Sequence, residues 1–415
     1  MIAERKKPEL LLPAGSLEVL KIAVKYGADA VYIGGGMYGL RAKARNFSAD
    51  DMKEGIAYAH AHGVKVYVTA NITAHNRDLA GVEAYFRELK EIGPDALIIS
   101  DPGVFEIAKE VLPETELHIS TQANNVNYRT YRFWHRLGAK RVVSARELSL
   151  EEIGELRRNI PDDLEIETFV HGAMCISYSG RCLLSNYFTG RDANLGACTH
   201  PCRWKYYIME ESRPGEYLPV FENERGTYIF NSKDLCMIEY IPELVAAGID
   251  SFKIEGRMKT ALYVATAART YRQAIDDYFE SEEKYRARIP YYKEEISKCT
   301  CRSYTTGFFF GAPDKDAQVY ENNDYNKEYT YLGFPIRVTE DGRLYMEQRN
   351  KFCVGDTVEL MDFKGESRYA KVCGIADEEG NAMESCPHPQ QMLYVTLDQT
   401  AEPLTVLRMR SGDDK

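Results

Sequence analysis

The sequence predicts an α/β fold: a TIM-type (β/α)8 barrel with a cysteine-bearing insertion after its seventh strand, then a small C-terminal antiparallel β-barrel. Three observations carry this. Short apolar runs alternate with helical segments through the first 280 residues. Those runs are apolar throughout, as strands buried on both faces are. Beyond Tyr331 the hydrophobic period shifts to two, with turn signals between the runs.

In chain order, Leu10–Pro13 is the first strand, and Ser16 caps a helix with Leu17, Leu20 and Val24 on one face. Ala30–Ile33 is the second strand, closed by Gly34, Gly35 and Gly36. Helix Asp50–His62 leads to strand Val64–Ala70, Gly81–Glu91 to Ala96–Ser100, and Phe105–Val111 to Leu117–Thr121. Arg129–Leu137 leads to Arg141–Ala145, and Leu150–Arg157 to Ile166–Val170. A helix over Leu235–Ala247 precedes the eighth strand, Ser251–Ile254, and a closing helix runs from Thr260 to about Tyr278. Repeated β–α units with right-handed crossovers close most simply into a barrel, with a doubly wound open sheet as the alternative. The barrel domain is therefore 1–280, interrupted at 172–232 by an insertion with strand-like runs at Lys205–Met209 and Thr227–Phe230.

Residues 281–330 form a helical and linker segment: a charged helix over Ser281–Lys298, two thiols at Cys299 and Cys301, the run YTTGFFFG, and a polar stretch. The third segment, 331–415, carries strands at Pro335–Val338, Leu344–Gln348, Thr357–Met361, Arg368–Val372, Leu393–Leu397 and Leu404–Arg408. With fifteen acids against ten bases it is no obvious electrostatic clamp for RNA.

A net charge of −11 argues against a surface coated for non-specific nucleic-acid binding. A local basic patch suffices for RNA, and the insertion offers Arg181, Arg191 and Arg203 with Lys205 against Asp192. No DNA partner is expected. No apolar run approaches the length of a membrane span, and MIAERKKPEL lacks the apolar core of a signal peptide. A cytoplasmic protein is expected, its ten cysteines reduced.

Four of those cysteines fall between Glu167 and Cys202: Cys175, Cys182, Cys198 and Cys202. Gly and Ser between them permit the tight turns that gather thiolates around one metal. The gaps of six, fifteen and three residues fit neither a zinc ribbon nor a ferredoxin run, so spacing leaves zinc and iron–sulfur both open. Cys236 is an alternative fourth ligand.

The string ETFVHGAMCISYSGRCLLS, from Glu167 to Ser185, resembles the signature of the collagenase-like peptidase U family. So do LLLPAGSLEVLKIAVKYGADAVYIGG, NSKDL at 231–235, FKIEGR at 252–257 and YTTGFFFG at 304–311. Within it the chain is most similar to the tRNA hydroxylation branch, which helps form 5-hydroxyuridine at the wobble position. The resemblance implies a barrel core, a 4Fe–4S cluster on family cysteines, prephenate as a co-substrate, tRNA as partner, and a second family member as a possible partner. A peptidase is the alternative function, yet the chain has neither an H-E-x-x-H helix nor a G-x-S-x-G elbow. A non-catalytic RNA-binding iron–sulfur partner is the third reading.

Barrel enzymes work at the C-terminal ends of their strands. Those ends are polar here: Asn71, Ser100, Asp101, Ser120, Thr121, Gln122, Asn124, Arg146, Glu147, His171, Asn231, Ser232, Lys233, Asp234, Lys253, Glu255 and Arg257. Lys253, Glu255 and Arg257 alternate along one extended segment and share a face. Lys253 and Arg257 suit a carboxylate or phosphate; an ion pair through Glu255 is the plainer alternative. Asn71, Gln122, Glu255, Arg257 and the insertion's arginines are expected to bind substrate. Glu167, His171 and Lys253 are the catalytic candidates, with His171 a proton donor or a hydrogen-bond donor to a cluster sulfur, and a structural histidine as the alternative.

Overall fold

A computed structural model describes residues 6–39, 46–175, 182, 184–191, 193, 196–201, 207–208, 218–219, 233–311 and 328–411. The barrel half runs β1 (Glu9–Pro13), α1 (Leu17–Lys25), β2 (Ala30–Gly34), α2 (Ala49–Ala61), β3 (Lys65–Ala70), α3 (Asn76–Leu79), α4 (Val82–Ile92), β4 (Ala96–Ile99) and α5 (Pro102–Val111). It continues with β5 (Glu116–Ile119), α6 (Tyr128–Leu137), β6 (Arg141–Val143), α7 (Leu150–Asn159) and β7 (Glu165–Ala173). After α8 (Leu184–Thr189) and the pair β8 (Tyr207–Ile208) and β9 (Leu218–Pro219) come β10 (Asp234–Cys236), α9 (Ile241–Ala246), β11 (Ser251–Ile254), α10 (Ala261–Glu280), α11 (Glu282–Ser297) and β12 (Tyr304–Thr305).

Strands β1 to β7 pair in sequence order, all parallel, and β11 pairs with both β1 and β7. The sheet is thus closed with eight parallel strands, and the open-sheet alternative is excluded. The helices start where capping chemistry allows: Ser16, Ser48, Asp101, Asn127, Ser149 and Thr260 each accept a bond from a first-turn backbone N–H.

Two expectations need correction. The segment Leu235–Ala247 is not one helix. Its first residues form β10, antiparallel to the tail of β7, and only Ile241–Ala246 is helical. Pro242 sits in the first turn, the one helical position where its missing N–H costs nothing. The linker also ends early, since β13 (Tyr329–Gly333) already belongs to the C-terminal sheet.

That sheet continues with β14 (Pro335–Val338), β15 (Leu344–Glu347), β16 (Thr357–Met361), β17 (Arg368–Ala376), β18 (Ala382–Met383), β19 (Met392–Leu397) and β20 (Val406–Arg410). Every pairing is antiparallel, in the order β13-β20-β16-β17-β19-β15-β14, with β18 on β17. Leu332, Met346, Leu360, Val372, Val395 and Leu407 meet in one core, so the strands wrap a common interior.

The sheet is fastened to the barrel by buried polar contacts. Tyr26 donates from its hydroxyl to Met361 O at 2.6 Å and accepts from Val406 N at 2.8 Å. Glu295 on α11 accepts from Arg269 and Arg408, and Arg408 also reaches Glu359. No helix among the described residues is long and apolar enough to cross a membrane.

Candidate active site

Barrel interiors are ordinarily filled by branched apolar side chains. One side of this one is hydrophobic but mixed, with Leu11 and Ile98 beside Ala30, Ala96, Tyr32 and Tyr67 in a small cluster. The other side, where β6, β7 and β11 meet, holds buried charge. Arg141 donates from Nη1 to Glu9 at 2.5 Å and Glu167 at 3.0 Å, and from Nε and Nη2 to Glu165 at 2.8 and 2.6 Å. Lys253 Nζ donates to Glu167 Oε1 at 2.7 Å. Tyr67 and Ser251 donate to Glu9.

Charges taken out of water persist only when paired and hydrogen-bonded, and these are. Burial works against the charged form of Glu9, but the Arg141 guanidinium overrides it and holds the carboxyl down at about 2. Burial also opposes ionisation of Glu167, and Lys253 and Arg141 prevail and keep it below the usual range. Burial and the Arg141 charge together push His118 down, so its ring is neutral.

Above this layer, at the C-terminal ends of the strands, lies a cavity of about 60 Å³. Asn71, Gln122, Lys253, Glu255 and Arg257 all line it, so five of the residues singled out by sequence converge on one space. Lys253 is buried rather than open to solvent, its ammonium 4.5 Å from the centre of the Tyr32 ring. Arg257 donates from Nη1 to Thr69 Oγ1 at 3.0 Å. Asn71 Nδ2 donates to Ser120 Oγ at 3.0 Å.

Five lining residues were not among the polar strand ends picked out by sequence: Tyr32, Thr69, Ile98, Val143 and Phe169. Arg146 was among those ends but was given no role. Its Nη2 donates to Glu255 at 2.9 Å, and its guanidinium lies 4.0 Å from the centre of the Phe169 ring. Residues Tyr67, Thr69 and Asn71 follow the period of two from strand into mouth, which is the signal that would have found Thr69. Glycine lets the backbone pass close to the segment that carries Glu255 and Arg257. A Cβ on Gly15 would stand 2.1 Å from Arg257 O, and one on Gly172, at φ +111°, 2.6 Å from Glu255 O.

His171 is not at the mouth. It is buried on the helix side of β7, with its ring centre within 5.8 Å of those of Tyr263, Tyr271 and Tyr304. Pairing of β7 with β11 slips at this point, from Phe169 opposite Lys253 to His171 opposite Ile254, which turns His171 away from the interior. Burial, with the Lys259 charge, pushes its ring down to about 3, so it is neutral at physiological pH.

Of the expected metal ligands, Cys175 follows the end of β7 and is exposed, while Cys182 and Cys198 are half-buried. Cys202 lies outside the described residues, as do Arg181 and Arg203; Arg191 is exposed. Burial pushes the Cys236 thiol up to about 12, and its sulfur is 3.8 Å from the Tyr271 hydroxyl. Thiols are the right donors for iron–sulfur or zinc. Among the described residues, however, no three His, Cys, Asp or Glu side chains approach closely enough to hold a metal ion. The described residues therefore supply no ligand set from which a metal-dependent step can be derived.

What the mouth offers by itself is recognition. Two guanidiniums and an ammonium face a small space beside amide side chains, with Glu255 as the carboxylate in the lining, and the excess of cations suits a planar oxyanion.

Comparison with known proteins agrees over the whole length. The chain is 42% identical over 404 residues to a tRNA hydroxylation protein of Bacillus subtilis, covering 97% of this chain and 95% of the relative. It is 39% identical over 448 residues to a tRNA hydroxylation protein of Escherichia coli, covering 98% and 97%. A 23S rRNA 5-hydroxycytidine synthase of Escherichia coli is 33% identical over 340 residues, 81% of this chain and 49% of that one. The model of peptidase family U32 matches residues 15–319, across the barrel, and that of the family's C-terminal domain matches 327–408, across the antiparallel sheet. On those matches the chain belongs to peptidase family U32.

Proposed function

We propose that the protein is an enzyme that hydroxylates a base in RNA, and that its substrate is the wobble uridine of tRNA, converted at carbon five to 5-hydroxyuridine. The observation that carries this is the near full-length likeness to proteins named for tRNA hydroxylation, joined by a relative named for hydroxylating ribosomal RNA. In this reading the barrel mouth is the active site. Arg146 and Arg257 hold a planar oxyanion, Lys253 adds a point charge positioned by Glu167, and Asn71 and Gln122 orient the ligand.

Prephenate belongs to the same proposal as co-substrate, its carboxylates matching the guanidiniums. A 4Fe–4S cluster on Cys175, Cys182, Cys198 and Cys202, with Cys236 as alternative fourth ligand, is proposed from the family resemblance, the thiols by themselves leaving zinc as the alternative. A cytoplasmic location and a second family member as partner complete the reading.

Deleting the gene and reading digested tRNA by mass spectrometry tests it. 5-Hydroxyuridine and its derivatives should vanish and return with the wild-type gene. Unchanged modification, with loss of cleavage of some protein instead, would overturn the proposal in favour of a peptidase.

A further inference from the structure

Basic residues also concentrate outside the insertion. Residues 117–146 contain six bases, Arg129, Arg132, Arg136, Lys140, Arg141 and Arg146, and no Asp or Glu, in a chain with 63 acids. Arg141 and Arg146 are spent inside the barrel on Glu9, Glu165, Glu167 and Glu255. The other arginines lie on α6. Arg129 and Arg136 are exposed and Arg132 is half-buried, and none of the three forms an ion pair among the described residues. Residues 129, 132 and 136 are spaced three and four apart, so they stand in one row along the helix.

Two large apolar side chains flank that row in the open. Phe133 is 44% exposed and Leu137 37% exposed, while Tyr131 and Trp134 anchor the opposite face in the core. The Tyr128 ring, at the start of the helix, lies 5.5 and 5.6 Å from the Arg129 and Arg132 guanidiniums. Unpaired cations on an acidic protein, interleaved with an exposed aromatic, are what a nucleic-acid backbone and an unstacked base require.

The placement connects this row to the site. Gln122, which lines the cavity, precedes the Asn127 cap of α6 by five residues. Helices of a barrel run back from the mouth, so Arg129 stands at the rim and Arg136 one to two turns down the outer wall.

We infer that α6 is the RNA-docking face of the protein: Arg129, Arg132 and Arg136 contact successive phosphates of one strand, and Phe133 stacks on an unpaired base, leading the strand to the mouth. This rests on RNA being the substrate and goes beyond it by naming where the strand lies.

The test is a triple variant, Arg129→Ala, Arg132→Ala and Arg136→Ala, measured for tRNA affinity across a salt series and for 5-hydroxyuridine in cells. Alanine suits an exposed helix position, and circular dichroism checks that the fold is kept. Affinity should fall on the order of tenfold or more, and the slope of log K against log salt by roughly two, about 0.7 for each phosphate contact removed. Phe133→Ala should weaken binding without changing the slope. Wild-type affinity, slope and modification in the triple variant would overturn the inference and leave the RNA reading standing. Wild-type protein that binds no tRNA, from a gene whose deletion spares 5-hydroxyuridine, would sink both. Competition by polyglutamate equal to that by RNA of the same charge would overturn RNA as the occupant.

Discussion

Lys253 Nζ donates a 2.7 Å hydrogen bond to Glu167 Oε1 across the seam where the eighth barrel strand closes on the seventh. Glu167 is fully buried, and its second oxygen is taken by Arg141. The cation at the cavity is therefore part of the barrel's own wiring, and replacing it acts on stability as well as on substrate. Lys253→Met should lower unfolding free energy by about 3–5 kcal/mol, the usual effect of breaking a buried pair. Lys253→Met with Glu167→Gln should recover much of that in denaturant melts, while 5-hydroxyuridine stays absent. Wild-type modification by the double variant would remove the pair from the site.

Acid stability should carry the mark of Glu9. Its folded carboxyl titrates at about 2, below the ordinary 4.5. A depressed carboxylate contributes stability above the ordinary value and loses it as pH falls toward the folded one. The contribution, roughly 3 kcal/mol, should disappear between pH 4.5 and about 2. Glu9→Gln should be less stable at neutral pH and show a flatter fall across that window. A wild-type slope in the variant would assign the acid loss elsewhere.

His171→Phe separates packing from proton transfer. The ring is neutral at working pH and surrounded by Tyr263, Tyr271 and Tyr304. Phenylalanine fills that space, so the variant should fold and retain modification, whereas His171→Ala should lose about 2–4 kcal/mol to the cavity it leaves. Loss of modification in a stably folded His171→Phe protein would restore the histidine to the chemistry.

The proposed cluster has a direct readout. Protein purified without oxygen should be brown, with about four iron and four sulfide per chain. Cys175→Ala, Cys182→Ala and Cys198→Ala should each bleach it, and whichever of Cys202→Ala and Cys236→Ala does so identifies the fourth ligand. A colourless protein with one tightly held zinc would end the iron–sulfur reading.

The barrel was legible because strands buried on both faces must be apolar and short, so Leu10–Pro13 or Ala96–Ser100 announce themselves. The mouth was legible for a related reason: a polar residue directly after such a strand, as at Asn71 or Glu255, stands at the catalytic end. What stayed hidden depends on partners far away in sequence. Arg141 looks like the first residue of a strand, and only folding brings it to Glu9, 132 residues earlier. His171 was expected just past a strand ending at Val170, but β7 runs on to Ala173 and slips register at that point, which a single sequence does not show. The strand Asp234–Cys236 is too short to carry a period at all. The row on α6 was read only as a helix, since Tyr131 and Trp134 supply the apolar face that such a reading looks for.

The antiparallel pairing of Ala173 with Asp234 has a practical meaning for the residues between them. The chain leaves the barrel at Ala173 and re-enters it at Asp234, adjacent positions of one ladder. A two-residue hairpin turn could bridge those positions, because antiparallel neighbours need no more. A barrel in which such a turn replaces residues 174–233 is therefore expected to keep the closure of its sheet, since β11 pairs with β1 and β7 outside that span.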